Sequence, residues 1–250
     1  MTMTNNKVAL VTGSSRGIGR ATAYEFAKRG YDVIINYHKN KKPAEDLARR
    51  IKTDFGVKTA LFCADVSVEG DVKLLVDEIK KDFGRIDVLV NNAGLDMACE
   101  FKDKTVSNFL KTLSVNLVGP FLVAKYVAPL MLEQKSGKII NISSNNASKA
   151  YDPTTADYDA SKAALENLTK NMAIEYAPYI NVNAVAPGWV DTDMNKKFFD
   201  DKEIKKLECE RILKKRFAEP EEIAKLIAFL ASDDADYING TVITIDGGMR

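Results

Sequence analysis

A tyrosine and a lysine four residues apart could carry acid–base chemistry in this chain. Tyr158 and Lys162 stand in a stretch with a helical pattern, where residues at that spacing share one face. A free phenol has a pKa of about 10 and is a poor acid or base near neutral pH. A fixed ammonium beside it favours the phenolate and lowers that pKa towards the working pH. The pattern Y-x-x-x-K arises often by chance, so its meaning depends on the groups that accompany it.

A glycine-rich stretch could bind the phosphates of a dinucleotide. Residues 12–19, T-G-S-S-R-G-I-G, join the first predicted strand to the first predicted helix. Glycines there permit a tight turn and the close approach of a pyrophosphate, which the N-terminus of the helix attracts. The spacing differs from the common G-x-G-x-x-G fingerprint, and a purely structural turn is the alternative. The residues expected to bind the cofactor here are Gly13, Ser15, Arg16, Gly17, Ile18 and Gly19.

The end of the second predicted strand indicates which dinucleotide would bind. Sites for NAD usually place Asp or Glu there, against the ribose 2′-hydroxyl. Here the strand closes with Asn36 and Tyr37, followed by His38 and Lys39, and Asp32 lies before the strand, at the wrong end. An uncharged Asn36, with Arg16 and Lys39 available, would accept a 2′-phosphate, so we predict NADP(H) in preference to NAD(H). Arg16 and Lys39 as ordinary solvated charges are the alternative. The predicted contacts at this end are Asn36, Tyr37, His38 and Lys39.

Two further strand ends carry candidate cofactor contacts. Asp65 and Val66 follow the third predicted strand, where Asp65 could accept a hydrogen bond from the exocyclic amine of an adenine. Capping of the next helix is an equally good role for Asp65. Residues 91–94, N-N-A-G, close the fourth strand and either hold backbone against the cofactor or form an ordinary turn. The predicted contacts in that stretch are Asn92, Ala93 and Gly94.

Short β-branched runs alternate along the chain with longer amphipathic segments. This alternation predicts an α/β fold with a doubly wound parallel sheet and helices on both faces, built as a single domain over residues 1–250. The charged stretch 189–216 interrupts the alternation and is interpreted as a mobile lid over the site, with an ordinary surface excursion as the alternative. The predicted strands are 8–12, 33–37, 59–63, 88–91, 138–143, 181–186 and 242–246, and the predicted helices are 18–29, 44–54, 68–83, 106–133, 155–175 and 220–231.

Composition excludes several classes of function. The chain has 36 Lys and Arg against 35 Asp and Glu, so no global field favours nucleic acid or an anionic membrane. Three scattered cysteines and one histidine give no metal spacing and no disulfide framework, so no metal is expected. Residues 1–7 are polar and unlike a signal peptide, and no apolar run is expected to reach transmembrane length. We therefore expect a cytoplasmic protein.

Taken together, these motifs resemble the short-chain dehydrogenase/reductase family over the whole chain. The resemblance depends on residues 12–19, 91–94, Asn116, Ser143-Ser144, Tyr158 with Lys162, Pro187-Gly188 and the terminal stretch 246–248. It implies a Rossmann-like sheet of seven strands, a nicotinamide cofactor and a homotetramer packed through long helices.

The resemblance also assigns roles to individual residues. Tyr158 would be the general acid/base, and Lys162 would lower its pKa and bind the nicotinamide ribose. Ser144 would hydrogen-bond the substrate carbonyl, and Asn116 would position a water in a proton relay. Taken singly, Ser144 could cap a turn, Asn116 could brace a helix and Lys162 could be a surface charge. The residues expected to meet the nicotinamide end are Pro187, Gly188, Val190 and Thr192.

The chain departs from the family pattern near the tyrosine. Ser144 lies one residue farther from Tyr158 than is usual, which predicts an insertion around residues 150–153. Asp157 and Asp159 flank Tyr158, and either carboxylate would raise the tyrosine pKa if it pointed inward. Each is rotated by about 100° from Tyr158 on a helix, so surface exposure is expected.

Within the family, the chain looks most like bacterial 3-oxoacyl-[acyl-carrier-protein] reductases. The shared motifs include Ala186-Pro187-Gly188, Arg216-Phe217 with Pro220-Glu221-Glu222, and Asn239-Gly240. This predicts an NADPH-dependent reduction of a ketone to a secondary alcohol, with a substrate carried on acyl carrier protein or coenzyme A. The lysines that could bind an acidic carrier are Lys125, Lys135, Lys196, Lys197, Lys202 and Lys205.

Other functions stay open at this point. The stretch 175–179 lacks the basic residue that carrier-protein reductases tend to have there, and Asp96 and Asp152 would favour a polyol or a cation if they faced the pocket. The alternatives are an NAD(P)-dependent dehydrogenase of a sugar, polyol or steroid alcohol, and a non-catalytic nucleotide sensor on the same fold. An enoyl reductase fits less well, because this Tyr–Lys spacing accompanies ketone reduction.

Overall fold

A parallel β-sheet forms the centre of the structure. Within residues 6–196 and 200–250, which a computed structural model describes, seven strands pair in the order β3-β2-β1-β4-β5-β6-β7. Every neighbouring pair is parallel, so the Rossmann-like, doubly wound α/β architecture is confirmed. The strands are β1 (Val8–Val11), β2 (Asp32–Tyr37), β3 (Thr59–Cys63), β4 (Val88–Asn91), β5 (Gly137–Ile142), β6 (Ile180–Pro187) and β7 (Val242–Ile245).

The apolar strands are buried because helices cover both faces of the sheet. In β1, β2, β4 and β5 every residue is buried, as expected of strands enclosed on both sides. One core cluster packs two helices, α3 (Glu69–Phe83) and α5 (Gly119–Gln134), against the sheet. A second packs three helices against the opposite face: α1 (Gly17–Lys28), α2 (Lys41–Phe55) and α8 (Pro220–Leu230). The helices are α1 (Gly17–Lys28), α2 (Lys41–Phe55), α3 (Glu69–Phe83), α4 (Val106–Leu113), α5 (Gly119–Gln134), α6 (Ala156–Glu175), α7 (Lys202–Arg211) and α8 (Pro220–Leu230).

A π-helical turn interrupts the longest predicted helix. The sequence predicts one helix over residues 106–133, whereas Ser114–Val118 form a π-turn between α4 and α5. Such turns are rare and are frequent at functional sites. The turn contains the buried residue Asn116.

The same helical stretch, Val106–Gln134, is long and apolar enough to cross a membrane by length and composition. No such run was expected from the sequence, and by length and composition that expectation is wrong. More than half of its most apolar 18-residue window is buried in the protein. A core helix in a layered α/β fold reaches this apolarity because its side chains pack between the sheet and neighbouring helices.

The predicted lid contains one helix in its described part. Helix α7 lies within it, and residues 197–199, with the predicted carrier contact Lys197, lie outside the described residues. Isolated bridges join Val190 to Ala218 and Ile212 to Met249, so both ends of the stretch are tied to the rest of the protein.

The strand order creates a crevice at the centre of the sheet. From β1 the chain winds outwards through β2 and β3, then returns to the other side of β1 with β4. Ligands of open parallel sheets bind outside the carboxyl ends of the strands at such a reversal.

Candidate active site

A cleft of about 720 Å³ follows the carboxyl ends of the strands. Its size falls in the range of small-molecule sites. Two predicted site residues, Gly19 and Asn116, do not line its wall. The predicted residues that do line it are Gly13, Ser15, Arg16, Gly17, Ile18, Asn36, Tyr37, His38, Lys39, Asp65, Val66, Asn92, Ala93, Gly94, Ser144, Tyr158, Lys162, Pro187, Gly188, Val190 and Thr192.

The glycine-rich loop packs too closely for side chains. Gly13 and Gly17 have φ of +61° and +54°, values that L side chains rarely adopt. A Cβ on Gly13 would lie 2.9 Å from Cα of Ala93, and a Cβ on Gly19 would lie 2.8 Å from the carbonyl oxygen of Gly13. The glycines therefore let the loop turn tightly before α1, as a phosphate cradle requires.

Thr12 and Asn92 join this loop to the end of β4. The Thr12 hydroxyl oxygen accepts hydrogen bonds from the amides of Asn92 and Ala93, each at 3.0 Å. Asn92 Nδ2 donates to the carbonyls of Thr12 at 2.9 Å and Gly13 at 3.1 Å. Thr12 was part of the predicted motif at 12–19 but was assigned no role of its own, although a polar residue at the end of an apolar strand is a usable signal.

Asn36 braces the loop from the other side. Its Oδ1 accepts from the amide of Gly13 at 3.1 Å, and its Nδ2 donates to the carbonyl of Ala64 at 3.1 Å. The side chain is 1% exposed. Asn36 thus lies at the predicted place, but its hydrogen bonds are used within the protein and it adds no negative charge there.

The charged groups at this end of the cleft come from the segments that follow three strands, β1, β2 and β3. Nδ1 of His38 lies 3.6 Å from Oδ2 of Asp65, and Arg16 and Lys39 are exposed nearby on the cleft wall. Asp65 Oδ1 accepts from the amide and hydroxyl of Ser67 at 2.9 and 2.6 Å. Burial raises the pKa of Asp65, but the Ser67 hydrogen bonds and the basic neighbours hold it below its usual value. Because α3 is capped at Val68, the proposed capping role of Asp65 does not occur.

The tyrosine and lysine lie together in the middle of the cleft. Lys162 Nζ is 5.5 Å from the centroid of the Tyr158 ring and donates to the carbonyl of Ile142 at 2.7 Å. Ser144 lines the cleft near the Tyr158 hydroxyl, and its Oγ accepts from the amide of Asn146 at 3.2 Å. The geometry therefore brings Ser144, Tyr158 and Lys162 into one group.

Burial controls the acidity of this pair. It raises the pKa of Tyr158 to about 12, against the opposing hydrogen bond from Ser144, and the charges of Asp96 and Asp159 raise it further. Burial also lowers the pKa of Lys162 to about 8. The expectation that Lys162 lowers the pKa of Tyr158 is therefore not met in the protein alone, because desolvation disfavours both charged forms.

Asn116 is fully buried behind the cleft. Its Oδ1 accepts from the amide of Leu95 at 2.8 Å, and its Nδ2 donates to the Leu95 carbonyl at 2.9 Å and to Ser161 Oγ at 3.0 Å. These contacts match the bracing alternative for the side chain. A water-positioning role for Asn116 stays a prediction.

The prediction that Asp157 is exposed on the surface is wrong. The residue is fully buried, and it accepts from Nζ of Lys104 at 2.6 Å and from Oγ1 of Thr112 at 2.7 Å. Helix α4 covers this face of α6, which an angular argument on α6 alone cannot reveal. Asp159 is partly buried and accepts from Asn146 Nδ2 at 2.9 Å and, through its second oxygen, from Thr155 at 3.2 Å.

The wall of the substrate half comes largely from segments without a recognisable motif. Glu208 accepts from the Trp189 indole and from Arg211, each at 3.0 Å, which links α7 to the start of the lid. Asp96 and Asp152 both line the cleft, as the polyol alternative requires. Six of the lining residues here were not named as site residues from the sequence, although four of them lie in the predicted lid at 189–216: Tyr151, Trp189, Met194, Ile204, Arg211 and Met249.

Gly188 and Thr192, two of the residues predicted to meet the nicotinamide, each pack closely against another segment of the chain. A Cβ on Gly188 would approach Cα of Asp246 to 2.9 Å, and a Cβ on Gly17 would approach Thr192 Cγ2 to 3.3 Å. Thr192 therefore lies over the first turn of α1.

Among the described residues, no three His, Cys, Asp or Glu side chains could jointly hold a metal ion.

These features fit a dinucleotide. The tight glycine turn at a helix N-terminus suits a pyrophosphate, and Arg16 and Lys39 supply donors for a further phosphate. Lys162 Nζ lies 3.8 Å from the position of a Cβ on Gly94, so its ammonium is close to the backbone that follows β4.

Comparison with known proteins gives the family. The model of a family described as "Enoyl-(Acyl carrier protein) reductase" matches residues 13–250. The 3-oxoacyl-[acyl-carrier-protein] reductase FabG of Staphylococcus epidermidis is 43% identical over 248 residues, 98% of this chain and 99% of the relative. The FabG of Staphylococcus aureus is 41% identical over 251 residues, 99% of each chain.

Solved structures with a similar fold point to the same family. A gluconate 5-dehydrogenase from Burkholderia cenocepacia, in complex with NADP and tartrate, matches with a TM-score of 0.90 and 37% identity, over 98% of this chain and 96% of that one. A short-chain dehydrogenase from the same organism, in complex with NADP, matches with a TM-score of 0.90 and 35% identity, over 97% of each chain. The chain belongs to the short-chain dehydrogenase/reductase family. It is an NAD(P)-dependent oxidoreductase that acts between a ketone and a secondary alcohol.

Proposed function

We propose that this enzyme reduces its ketone with NADPH in preference to NADH, and that 3-oxoacyl thioesters are its first candidate substrates. The observation that carries the reaction is the grouping of Ser144, Tyr158 and Lys162 in the cleft that the glycine-rich loop also lines. When bound, the nicotinamide would supply the hydride.

The chain's own residues would handle the proton and the carbonyl. Ser144 would donate a hydrogen bond to the carbonyl oxygen and orient it towards Tyr158. Tyr158 would give its phenolic proton to that oxygen as the alcohol forms. Lys162, 5.5 Å from the Tyr158 ring, would stabilise the resulting phenolate in its charged form and hold the ribose. Asn116 would support the relay that returns a proton to the tyrosine.

The preference for NADPH follows from charge at the adenosine end. Arg16, His38 and Lys39 line the cleft there, and β2 ends in the uncharged residues Asn36 and Tyr37. The carboxylate of Asp65, which lines this end of the cleft, already faces His38 and Ser67. A 2′-phosphate would thus meet basic groups and little repulsion.

The thioester class draws its support from relatives named as 3-oxoacyl-[acyl-carrier-protein] reductases. Lys202 and Lys205 are exposed on α7 beside the cleft, where they could meet an acidic carrier. The family model's description names an enoyl reductase, but the Tyr158–Lys162 spacing accompanies ketone reduction.

A second candidate is the dehydrogenation of a sugar or polyol. It is favoured by the carboxylates of Asp96 and Asp152 on the cleft wall, which are acceptors for hydroxyl groups. A structural neighbour named gluconate 5-dehydrogenase, with tartrate bound, points the same way.

The test is the initial rate of NADPH oxidation with an acetoacetyl thioester, beside an NADH control. Turnover with NADPH alone is the expected result. Tyr158→Phe should abolish turnover while cofactor binding stays, whereas Tyr179→Phe, an exposed tyrosine after α6, should leave the rate unchanged. Full activity in Tyr158→Phe would refute the mechanism and favour the nucleotide sensor. Turnover of polyols but not thioesters would select the second candidate.

We also propose how the chain is organised into domains, how it assembles and where it acts. We expect one domain over residues 1–250, a lid over residues 189–216 and a cytoplasmic homotetramer. Its packing through α5 and α6 would cover exposed apolar side chains such as Phe121 and Ile174. Light scattering on the purified enzyme would give four chains per particle, and a monomer would refute this assembly.

A further inference from the structure

The residue that precedes Tyr158 belongs to a buried ion pair. Asp157 lies fully buried in the first turn of α6, and its Oδ1 accepts from Nζ of Lys104 at 2.6 Å. Its Oδ2 accepts from Oγ1 of Thr112 on α4 at 2.7 Å, and the side chain of Lys104 is itself only 6% exposed. Burial raises the pKa of Asp157, but the hydrogen bonds from Lys104 and Thr112 hold it below its usual value. The carboxyl group is therefore charged at neutral pH.

Lys104 lies near the end of the β4–α4 segment, residues 92–105, which forms part of the cleft wall. Residues 92–96 of this segment line the cleft. In residues 92–105, all of which the structure describes, regular structure is limited to the 3₁₀ turn Phe101–Asp103. Neither a strand ladder nor a long helix fixes this described stretch, so its position depends on contacts with neighbouring elements.

Two such contacts hold the main chain of the segment. Asn116 hydrogen-bonds both the amide and the carbonyl of Leu95, at 2.8 and 2.9 Å. Farther along, the amide of Cys99 donates to the carbonyl of Thr154 at 3.2 Å, just before α6. These contacts leave the far end of the segment to be fixed by its own side chains.

The ammonium of Lys104 attaches this far end to α6. It donates to the carbonyl of Met97 at 3.4 Å as well as to Asp157, so one group joins two parts of the segment to the helix. A buried ion pair adds little net stability compared with well-packed apolar side chains. Its short hydrogen bonds are directional, whereas apolar contacts are not. The pair is therefore better suited to placing the segment than to stabilising the fold.

We propose that Lys104 and Asp157 are positioning residues that fix the β4–α4 segment relative to Tyr158. A peptide bond joins Asp157 to Tyr158, so the same turn of α6 places both the phenol and this part of the substrate wall. The fit of the ketone beside Tyr158 then depends on the ion pair. The predicted cofactor contacts at 92–94 are held separately by Thr12 and do not depend on it. This inference rests on the proposed role of Tyr158, but on neither of the two substrate classes.

Replacing both members of the pair gives a test that leaves no buried charge unpaired. Lys104→Met with Asp157→Asn keeps the approximate size of both side chains and removes the bond between ammonium and carboxylate. The double variant should bind NADPH within about twofold of the wild type. Its KM for acetoacetyl-coenzyme A, or for the polyol if that class is turned over, should rise roughly tenfold or more, with a much smaller change in kcat.

Hydrogen–deuterium exchange tests the placement without turnover. The amides of Leu95 and Cys99 are hydrogen-bonded and should be protected in the wild type. In the double variant the peptide that contains both amides should exchange roughly tenfold faster or more, while peptides of β1 and β5 keep their wild-type rates.

The matched control is Lys138→Met with Asp236→Asn. That pair is also joined at 2.6 Å, but it lies at the amino end of β5, away from the cleft. The control should change neither the KM nor the exchange of the β4–α4 segment.

The contrary outcomes are distinct. An unchanged KM or unchanged exchange in Lys104→Met with Asp157→Asn would overturn the proposal. NADPH binding weakened by the same factor as the KM would also overturn it, because the pair would then have a general structural role. Rapid exchange of the Leu95 and Cys99 amides in the wild type would overturn it even if the double variant did not fold. Failure to reduce any ketone would refute the proposed function, while the exchange rates would still decide the role of the pair.

Discussion

Asn116 holds both main-chain hydrogen-bonding groups of Leu95. The amide of Leu95 donates to Oδ1 at 2.8 Å, and Nδ2 donates to the Leu95 carbonyl at 2.9 Å. The same Nδ2 reaches Ser161 on α6, the neighbour of Lys162. One buried amide thus connects the end of β4 with the helix that carries Tyr158.

Asn116→Asp should lower both stability and turnover. A carboxylate cannot donate to the Leu95 carbonyl or to Ser161, so buried acceptors lose their partner and a charge is buried. We expect a loss of about 1–3 kcal/mol in the free energy of unfolding and roughly a tenfold or larger fall in kcat. Asn171→Asp on the exposed face of α6 is the control. An unchanged kcat in a stable Asn116→Asp protein would remove Asn116 from the positioning of the site.

Asn36→Asp should separate the two nicotinamide cofactors. The new carboxylate would repel a 2′-phosphate, and the lost donation to Ala64 would loosen the glycine-rich loop for either cofactor. Only the first effect changes the ratio of affinities. We expect the preference for NADPH over NADH, measured by fluorescence titration, to fall roughly tenfold or more, since 1.4 kcal/mol of repulsion suffices. An unchanged ratio would show that the 2′-phosphate binds elsewhere.

Gly19→Ala should weaken cofactor binding. The added methyl group would press on the carbonyl of Gly13 at 2.8 Å and on Nδ2 of Asn92, so the loop must shift. Gly70→Ala in α3 is a matched control, because nothing lies within 4 Å of a Cβ there. Titration with NADPH should show roughly a tenfold or greater loss for Gly19→Ala and none for Gly70→Ala. Equal affinities in the two variants would contradict the packing argument.

Lys104→Met should destabilise the fold strongly. It would leave Asp157, which is fully buried, with Thr112 as its remaining side-chain partner. Breaking one side of a buried ion pair costs about 3–5 kcal/mol, and Lys104→Met combined with Asp157→Asn should recover much of that loss. Lys125→Met breaks the exposed pair with Glu69 and should have a far smaller effect in urea unfolding. A mild effect of Lys104→Met would show that water reaches the buried pair.

Burial of Lys162 should make the free energy of unfolding depend on pH in the alkaline range. Burial holds its pKa near 8 instead of 10.5, so between these values the unfolded chain binds one more proton than the folded protein. The stabilisation is therefore present at high pH and is lost as pH falls through about 8. The free energy of unfolding should rise by up to about 1.4 kcal/mol per pH unit across this window.

Lys162→Met should flatten this rise, whereas Lys170→Met, at an exposed position of α6, should keep it. Tyr158 acts in the opposite direction only above about pH 10, because its pKa is raised to about 12. Measurements below pH 10 thus isolate the lysine. Identical slopes in the wild type and Lys162→Met would contradict burial of the ammonium.

The sheet was largely predictable because each strand is a short apolar run between helical patterns. All seven predicted strands occur, with ends that differ by a residue or two, as for 8–12 against Val8–Val11. The π-turn at Ser114–Val118 was not predictable, because it coincides with contacts between Asn116 and residues distant in sequence. Local patterns carry no information about such contacts.

The site was predictable where backbone geometry demands a residue type. Gly13 and Gly17 are examples, since their positive φ excludes most side chains. The burial of Asp157 was missed because Lys104, its partner, lies 53 positions away. The pKa of Tyr158 was misjudged because desolvation depends on packing that spacing does not encode. The residues that line the substrate half of the cleft were hard to predict for the same reason, because some are distant in sequence. Met249, near the C-terminal end of the chain, is an example.

The placement of β1 between β2 and β4 has a consequence for synthesis on the ribosome. Strands β1, β2 and β3 lie within residues 8–63, so the adenosine half of the sheet can assemble while the chain is still emerging. Strand β1 is synthesised first, but one of its edges stays unpaired until β4 has been synthesised. Strand β4 in turn needs β5 as its next neighbour, and β5 needs β6. A nascent chain of this enzyme therefore exposes a bare sheet edge for much of its translation, which is the period when chaperones would protect it best.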